Sequence, residues 1–82
     1  MYSVYVLKSE FDGSYYIGST SSLTNRIREH NFGNTGYTKY KRPWLLVFSE
    51  TFNTRGEAVT REKYLKRLKS KVALLKIIGE GP

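Results

Sequence analysis

Residues 16–30 read YIGSTSSLTNRIREH, and this stretch combines a short apolar strand, a hydroxyl-rich turn and an amphipathic helix. Ser21 or Ser22 can cap the helix, because a serine hydroxyl accepts hydrogen bonds from the free N–H groups of the first turn. Leu23 and Ile27 are four residues apart and form the apolar side of the helix. The stretch therefore predicts a strand, a turn and a helix that packs against a sheet.

The same stretch carries chemically active side chains on rigid elements. Tyr16 lies on the predicted strand, and Arg26 and His30 are four residues apart on the helix. Side chains at this spacing share one helix edge and can contact one ligand together. Taken singly, an arginine such as Arg26 is usually a solvated helix residue, and a histidine such as His30 is usually a helix-end residue and not a ligand. Their joint placement makes this stretch a candidate site.

Composition excludes several classes of protein. The 82 residues contain no cysteine and one histidine, which excludes disulfide frameworks and zinc sites of the Cys/His kind. No apolar run approaches the ~20 residues that span a bilayer, and the N-terminus lacks a signal-peptide pattern. We expect a single domain over residues 1–82, with a cytoplasmic location and no membrane association.

The net charge of +7 lies entirely in the second half of the chain. Residues 1–38 hold three basic and three acidic groups, whereas residues 39–82 hold eleven basic and four acidic groups. Such asymmetry favours a polyanionic partner, most simply nucleic acid, because Lys and Arg release counterions from phosphates. A charge that only keeps the protein soluble is the alternative.

The first two strands are predicted at residues 2–8 and 14–19, joined as a hairpin at Asp12-Gly13. A two-residue turn would place Tyr5 and Tyr16 on one face but about four residues out of line. A four-residue loop keeps them on one face and brings them closer.

The remaining elements complete an α+β pattern. Residues 31–42 have two glycines and no apolar period, which predicts a long surface loop. Residues 44–48, WLLVF, are apolar on both faces and predict the middle strand of the sheet. Thr54 and Glu57 form a capping box that starts a second helix, and Ser70 is a candidate cap for a last one. The order ββαβαα predicts a three-stranded, mostly antiparallel sheet flanked by helices.

Glu62 interrupts the apolar side of the second helix, which otherwise runs through Ala58, Leu65, Leu68 and Val72. A buried carboxylate needs a partner or becomes protonated. The partner is either Arg26 or a neighbouring lysine in a structural ion pair, or a divalent cation. A lone carboxylate suits Mg²⁺, which keeps several waters and accepts phosphate oxygens.

Aromatic and basic residues alternate near the middle of the chain. The loop interleaves tyrosines with cations, as nucleic-acid surfaces do, and the second helix adds further basic side chains. The predicted nucleic-acid-binding residues are Lys39, Tyr40, Lys41, Arg42, Lys63, Lys66 and Arg67. A loop whose tyrosines fold back over the core is the alternative.

These candidates together suggest phosphoryl chemistry. Two phenols on one face of the hairpin, an arginine and a histidine on the next helix, and an isolated glutamate form such a site without cysteine or paired histidines. Tyrosine is also a common strand residue, so Tyr5 and Tyr16 taken singly are equally explained by packing.

The order of these residues resembles the GIY-YIG endonuclease superfamily, and in particular its small, single-domain bacterial members. Ser3-Val4-Tyr5 is followed after ten residues by Tyr16-Ile17-Gly18, then by Arg26, His30 and Glu62. The second triplet is intact. The first reads Ser-Val-Tyr where the family has Gly-Ile-Tyr, and it keeps the tyrosine.

The resemblance implies a nuclease that cuts one phosphodiester bond with a single Mg²⁺ or Mn²⁺ held by Glu62. By family analogy Tyr5 would help to deprotonate the attacking water, and Tyr16 would position it. Arg26 would neutralise charge on the phosphorane, and His30 would support the phosphate or the water. A tyrosine with a pKa of ~10 is a poor base, so Tyr5 needs the metal and Arg26 to lower its pKa.

Three functions remain open from the sequence. The first is a divalent-metal-dependent DNA endonuclease, with specificity that is slight or comes from branched or single-stranded DNA or from a partner protein. The second is a nucleic-acid-binding module with a weak or inactive site. The third is a protein-interaction domain stabilised by an Arg26–Glu62 pair.

Overall fold

The fold is organised around its first strand. The computed structural model describes residues 1–33, 36–68 and 71–79. The strands are β1 (Tyr2–Ser9), β2 (Tyr15–Thr20) and β3 (Trp44–Phe52), and the helices are α1 (Leu23–Phe32), α2 (Arg55–Lys66) and α3 (Lys71–Ile78). A short 3₁₀ helix spans Gly36–Lys41. The predicted α+β class and the order ββαβαα are confirmed.

The strand order is β2-β1-β3, and both pairings are antiparallel. The prediction that residues 44–48 form the middle strand is therefore wrong, because β3 lies at an edge of the sheet. Leu45 and Leu46 are 48% and 42% exposed, whereas Val4, Tyr5, Val6 and Leu7 of β1 are buried. An apolar run shows that a strand can be covered on both faces, but it does not decide which of two such strands acquires two neighbours.

Of the loop lengths left open by the sequence, the hairpin between β1 and β2 has the four-residue loop. Ser9 N–H donates to the Ser14 carbonyl at 2.8 Å, and Gly13 N–H donates back to the Ser9 carbonyl at 2.9 Å. Gly13 has a φ of +77°, a conformation that glycine adopts without steric cost. This register sets Tyr5 opposite Gly18, and Tyr16 opposite Leu7.

The two faces of β1 support two separate clusters. On one face Val4 and Val6 pack with Ala58 and Leu65 of α2 and with α3. On the other face Tyr5, Leu7 and Trp44 pack together with a rim of partly buried side chains from β2 and α1, namely Tyr16, Leu23 and Ile27. The predicted apolar side of α1 is confirmed.

The helix starts follow the predictions in part. Thr54 and Glu57 form the predicted capping box at α2. Ser22 occupies the N-cap position of α1, but its side chain makes no capping hydrogen bond. Instead the Thr20 hydroxyl accepts from the Ser22 N–H at 3.1 Å. Thr20 thus orders the turn that precedes α1, and the predicted serine cap of the first helical turn is not formed.

Other boundaries differ from the sequence predictions. The predicted loop at 31–42 is shorter, because α1 continues to Phe32 and the 3₁₀ helix follows. The α2 helix ends at Lys66, and Val72 is 49% exposed on α3, so Val72 does not continue the apolar side of α2. The predicted Ser70 cap lies outside the described residues. In the described part of the chain, no helix is long and apolar enough to cross a membrane.

Candidate active site

Tyr5 lies at the centre of the candidate site because of the residue opposite it on β2. A Cβ atom added to Gly18 would lie 2.5 Å from Tyr5 Oη and 2.7 Å from its Cζ. The bare backbone at Gly18 therefore leaves room for the phenol to extend across β2. Gly18 belongs to the Tyr-Ile-Gly triplet identified in the sequence. The steric reason for a glycine at this position becomes visible only from the pairing of Gly18 with Tyr5.

Tyr16 lies beside Tyr5 on the same face of the hairpin, as predicted. The two rings are stacked with centroids 6.3 Å apart. Tyr16 also contacts the His30 ring at 4.7 Å and the Trp44 ring at 6.2 Å between centroids. The two phenols and the imidazole thus form one aromatic group.

His30 connects this group to the 3₁₀ helix. Its Nε2 lies 3.1 Å from Tyr5 Oη, and its Nδ1 lies 3.0 Å from Thr38 Oγ1. The Thr38 carbonyl in turn accepts from Trp44 Nε1 at 2.9 Å. His30, Thr38 and Trp44 are all buried. Thr38 was not predicted to be a site residue, because a threonine inside an aperiodic segment carries no recognisable pattern.

The electrostatics of Tyr5 and His30 favour their neutral forms. Burial raises the pKa of Tyr5 to about 12, and Tyr16 adds to this, while the Arg26 guanidinium acts in the opposite direction. Burial and the nearby Arg26 charge lower the pKa of His30, and Glu29 opposes them. Arg26 alone thus does not produce the lowered Tyr5 pKa that catalysis by a phenolate would need.

Arg26 lies where α1 meets the phenol of Tyr5. Its Nη1 donates to Glu29 at 3.1 Å, and the guanidinium is close enough to Tyr5 to influence its pKa by charge and hydrogen bonding. Its Nε is buried and has no hydrogen-bond partner within the described residues. The guanidinium therefore has a donor to spare for a ligand.

Glu62 is oriented by Ser19 and Lys66. Ser19 Oγ donates to Oε1 at 2.6 Å, and Lys66 Nζ donates to Oε2 at 2.7 Å. Of the two predicted structural partners, a neighbouring lysine is present, while Arg26 pairs with Glu29 instead. The Glu62 side chain is 18% exposed, so it lies inward but remains open to solvent.

Ser19 was absent from the predicted site, and the pairing of β1 with β2 explains its importance. Ser19 pairs with Val4, whereas the adjacent Gly18 pairs with Tyr5. Since neighbouring residues of a strand face opposite sides of the sheet, Glu62 approaches β2 from one side and Tyr5 from the other. The candidate site therefore straddles the free edge of β2.

The residues at this edge fit a single divalent cation. Burial alone would raise the pKa of Glu62, but hydrogen bonds from Lys66 and Ser19 and the charges of Lys66 and Lys63 outweigh it and lower the pKa. Glu62 is thus ionised at neutral pH. Among the described residues no three His, Cys, Asp or Glu side chains cluster as metal ligands. This donor set suits Mg²⁺, which takes its other ligands from water and phosphate.

The predicted nucleic-acid-binding residues divide into two groups. Near the 3₁₀ helix, Tyr40 is 72% exposed with Lys39 over its ring, but Lys41 pairs with Asp12 at 2.9 Å. Arg42 donates to the Lys39 and Asn31 carbonyls and so holds the loop to α1.

The second group, Lys63, Lys66 and Arg67, is exposed at the end of α2. This helix packs on the opposite side of the sheet from Thr38 and the 3₁₀ helix. A nucleic acid that contacts both groups would therefore have to pass an edge of the sheet.

Comparison with known proteins places this geometry in a family. The family model of the GIY-YIG catalytic domain matches residues 1–76. A UPF0213 protein of Staphylococcus saprophyticus is 42% identical over 79 residues, which cover 95% of this chain and 94% of that protein. UPF0213 protein YazA of Bacillus subtilis is 44% identical over 68 residues, which cover 82% of this chain and 68% of that protein.

A solved structure shares the fold. The solution NMR structure of a UPF0213 protein from Bacillus halodurans has a TM-score of 0.62 and 32% sequence identity, and the match covers 96% of this chain and 84% of that one. Together with the triplets on β1 and β2 and the ordered Arg26, His30 and Glu62, these matches show that the chain belongs to the GIY-YIG catalytic-domain family.

Proposed function

We propose that this protein is a divalent-metal-dependent DNA endonuclease that hydrolyses a phosphodiester bond at the free edge of β2. The observation that carries the proposal is the meeting of Tyr5 and Glu62 at the adjacent residues Gly18 and Ser19. A phosphate at this edge would have an ionised carboxylate on one side and a phenol with its histidine on the other. In a member of the GIY-YIG family, this arrangement supports attack by water on phosphorus.

Glu62 would hold the cation, either Mg²⁺ or Mn²⁺, with water and phosphate as the other ligands. When bound, the cation acidifies water and neutralises charge on the phosphate. Lys66 would leave Oε2 as the metal binds, and its side chain is 52% exposed and so has room to move. Ser19 would keep Oε1 in place during this exchange.

Tyr5 and His30 would move the proton of the attacking water. Tyr5 is protonated at neutral pH, since the ordinary pKa of a tyrosine is ~10 and burial raises that of Tyr5 further, so its oxygen accepts a proton only as it gives up its own. His30 is neutral and can take that proton at Nε2 when Nδ1–H donates to Thr38 Oγ1. The water oxygen would bond to phosphorus, its proton would pass to Tyr5 Oη, and the Tyr5 proton would pass to His30. The bond to the leaving oxygen then breaks, and that oxygen is protonated by solvent.

Arg26 and Tyr16 would position the phosphate. The spare Nε–H of Arg26 and its charge suit the phosphorane, in which negative charge builds up. Tyr16 contacts Tyr5 and His30 and would keep both rings in place. Neither role requires Arg26 or Tyr16 to change its protonation state.

The proposed substrate is DNA, and branched or single-stranded forms are favoured over continuous duplex. A strand that is free of its complement can follow the edge of β2 and contact basic residues on both sides of the sheet. A partner protein that adds specificity is part of the proposal, since the described basic residues present charge without a reading element for bases.

The experiment is a cleavage assay on supercoiled, linear, branched and flapped DNA with Mg²⁺, Mn²⁺ or EDTA. Wild-type protein should cut at least one form, and EDTA should stop the reaction. Glu62→Gln should lower the rate by about 10³-fold or more, with Glu57→Gln as the matched carboxylate control. Because Lys66 is exposed, Glu62→Gln should change the free energy of unfolding by only about 1 kcal/mol. Cleavage that persists in EDTA would refute the metal dependence.

A nucleic-acid-binding module with an inactive site is the second candidate. The observation in its favour is that both Glu62 oxygens already have partners, Ser19 and Lys66. Binding of DNA without cleavage of any form, together with no Mn²⁺ binding by relaxation or calorimetry even with DNA present, would select it.

A further inference from the structure

A small cavity lies next to the candidate active site and shares two residues with it. Its volume is about 210 Å³, and its polar wall consists of Ser19, Thr20, Ser21, Arg26 and Arg55. Typical sites for drug-sized ligands are roughly 300–1,000 Å³, so this cavity suits a smaller group. Arg26 and Ser19 make it continuous with the edge of β2 where Tyr5 and Glu62 meet.

The positive charge of the cavity favours an anionic ligand. Two arginines line it, and no carboxylate of the described residues does. Arg55 is exposed at the first position of α2 and makes no ion pair within the described part of the chain. Arg26 has a buried Nε without an acceptor. Two guanidinium groups with unused donors beside the Ser21 hydroxyl match the oxygens of a phosphate group.

From this arrangement we infer that the cavity binds the phosphodiester group next to the one that is cut, with Arg55 as its principal contact. The inference rests on the proposed nuclease function for the identity of the neighbouring phosphate. Arg26 lies between the two positions and would contact both phosphates. Arg55 would thereby fix which bond of the strand lies opposite Tyr5 and Glu62, although it does not touch the reacting atoms.

Binding in EDTA tests the cavity independently of cleavage. A short single-stranded oligonucleotide is titrated at ~0.15 M salt, where screening acts beyond about 8 Å. Arg55→Ala should weaken binding about ten-fold, as expected for loss of a charge-assisted contact. Arg55→Lys should recover part of the loss, because it keeps the charge without the planar fork. Arg28→Ala, an exposed arginine outside the cavity, is the matched control and should change affinity by about two-fold at most.

Two probes separate a backbone phosphate from free phosphate. One oligonucleotide series carries a single neutral methylphosphonate linkage at successive positions. At one position the neutral linkage should weaken binding to wild-type protein about ten-fold. At the same position it should not weaken binding to the Arg55→Ala variant any further. In parallel, NMR follows the Arg26 and Arg55 Nε–H signals and the backbone signals of Ser19 and Ser21 during titration with the oligonucleotide and with inorganic phosphate.

The outcomes separate this inference from the proposed function. Signal changes at Arg55 and Ser21 with the oligonucleotide, together with the one sensitive linkage, support the subsite even if no DNA form is cut. Equal affinities of wild-type protein and Arg55→Ala would overturn it even if cleavage is robust. Binding of inorganic phosphate in the cavity without a sensitive linkage would also overturn it, since the occupant would then not be a backbone phosphate.

Discussion

The two faces of β1 differ in the kind of contact that they make. Towards α2, Val4 and Val6 make apolar contacts with Ala58 and Leu65. Towards α1, Tyr5 is also buried, but its hydroxyl is hydrogen-bonded to His30, and His30 is hydrogen-bonded in turn to Thr38. Apolar contacts are non-directional and tolerate small shifts, whereas a hydrogen-bonded chain depends on the placement of each atom. The first face supplies stability, and the second supplies a defined geometry.

The sharpest test of this division is Tyr5→Phe, which should lower activity strongly while changing stability little. The ring and its packing stay, but the proton acceptor is lost, so cleavage should fall by about 10²–10⁴-fold. The free energy of unfolding should fall by only about 1–2 kcal/mol, from the unpaired His30 nitrogen. Tyr64→Phe on the exposed side of α2 serves as control. Undiminished cleavage by Tyr5→Phe would remove Tyr5 from the mechanism.

The opposite pattern is expected for Leu65→Ala on the apolar face. Leu65 is 1% exposed, and its truncation should cost about 2–5 kcal/mol of stability, measured as a denaturant midpoint. Cleavage per folded molecule should be unchanged. Leu45→Ala on the exposed part of β3 should cost about 0.5 kcal/mol. A large loss of cleavage with an unchanged midpoint for Leu65→Ala would mean that the two faces are not separable.

Gly18→Ala tests the close approach of the Tyr5 ring to the backbone of β2. The added Cβ would meet the Tyr5 phenol, so the ring must move and lose its distance to His30. We expect about 1–3 kcal/mol of destabilisation and a loss of cleavage similar to that of Tyr5→Phe. In Gly56→Ala the Cβ meets nothing within 4 Å, and the helix should gain up to about 1 kcal/mol. A normal Tyr5–His30 contact in a structure of Gly18→Ala would contradict the steric argument.

The last expected effect is a change of stability with pH on the polar face, which requires no mutation. The folded-state pKa of Tyr5 is about 12, above its ordinary value, so the folded state binds more protons than the unfolded state between these two values. Stability should therefore fall as the pH rises from about 10 to 12, by on the order of 2 kcal/mol. His30 acts at the acid end. Its pKa is lowered, so its contribution is lost as the pH falls below about 6.5.

Denaturant midpoints of wild-type protein and Tyr5→Phe across both pH ranges measure these effects. The alkaline fall should be smaller in Tyr5→Phe, which lacks the ionising hydroxyl. Parallel curves for the two proteins above pH ~10 would show that the titration of Tyr5 does not differ between the folded and unfolded states.

The features that the sequence alone determined are local or short-range. The hairpin, the capping box of Thr54 and Glu57, and the apolar side of α1 follow from turn chemistry, helix-end chemistry and the 3.6-residue period. Glu62 stood out because its place on that period is fixed within one helix. The ordered triplets and Arg26 were also readable, since a motif is a property of the chain.

Tertiary structure decided what depends on contacts between distant segments. The central place of β1 follows from which apolar strand acquires two neighbours, and two such strands are indistinguishable by pattern. Ser19 becomes a partner of Glu62 because the register of β1 and β2 turns Ser19 towards α2, whereas Lys66 is a neighbour on the same helix. Thr38 joins the site only because the 3₁₀ helix folds against α1. A hydrogen bond needs atoms within about 3 Å, and the sequence does not specify such distances until the whole sheet and its helices are assembled.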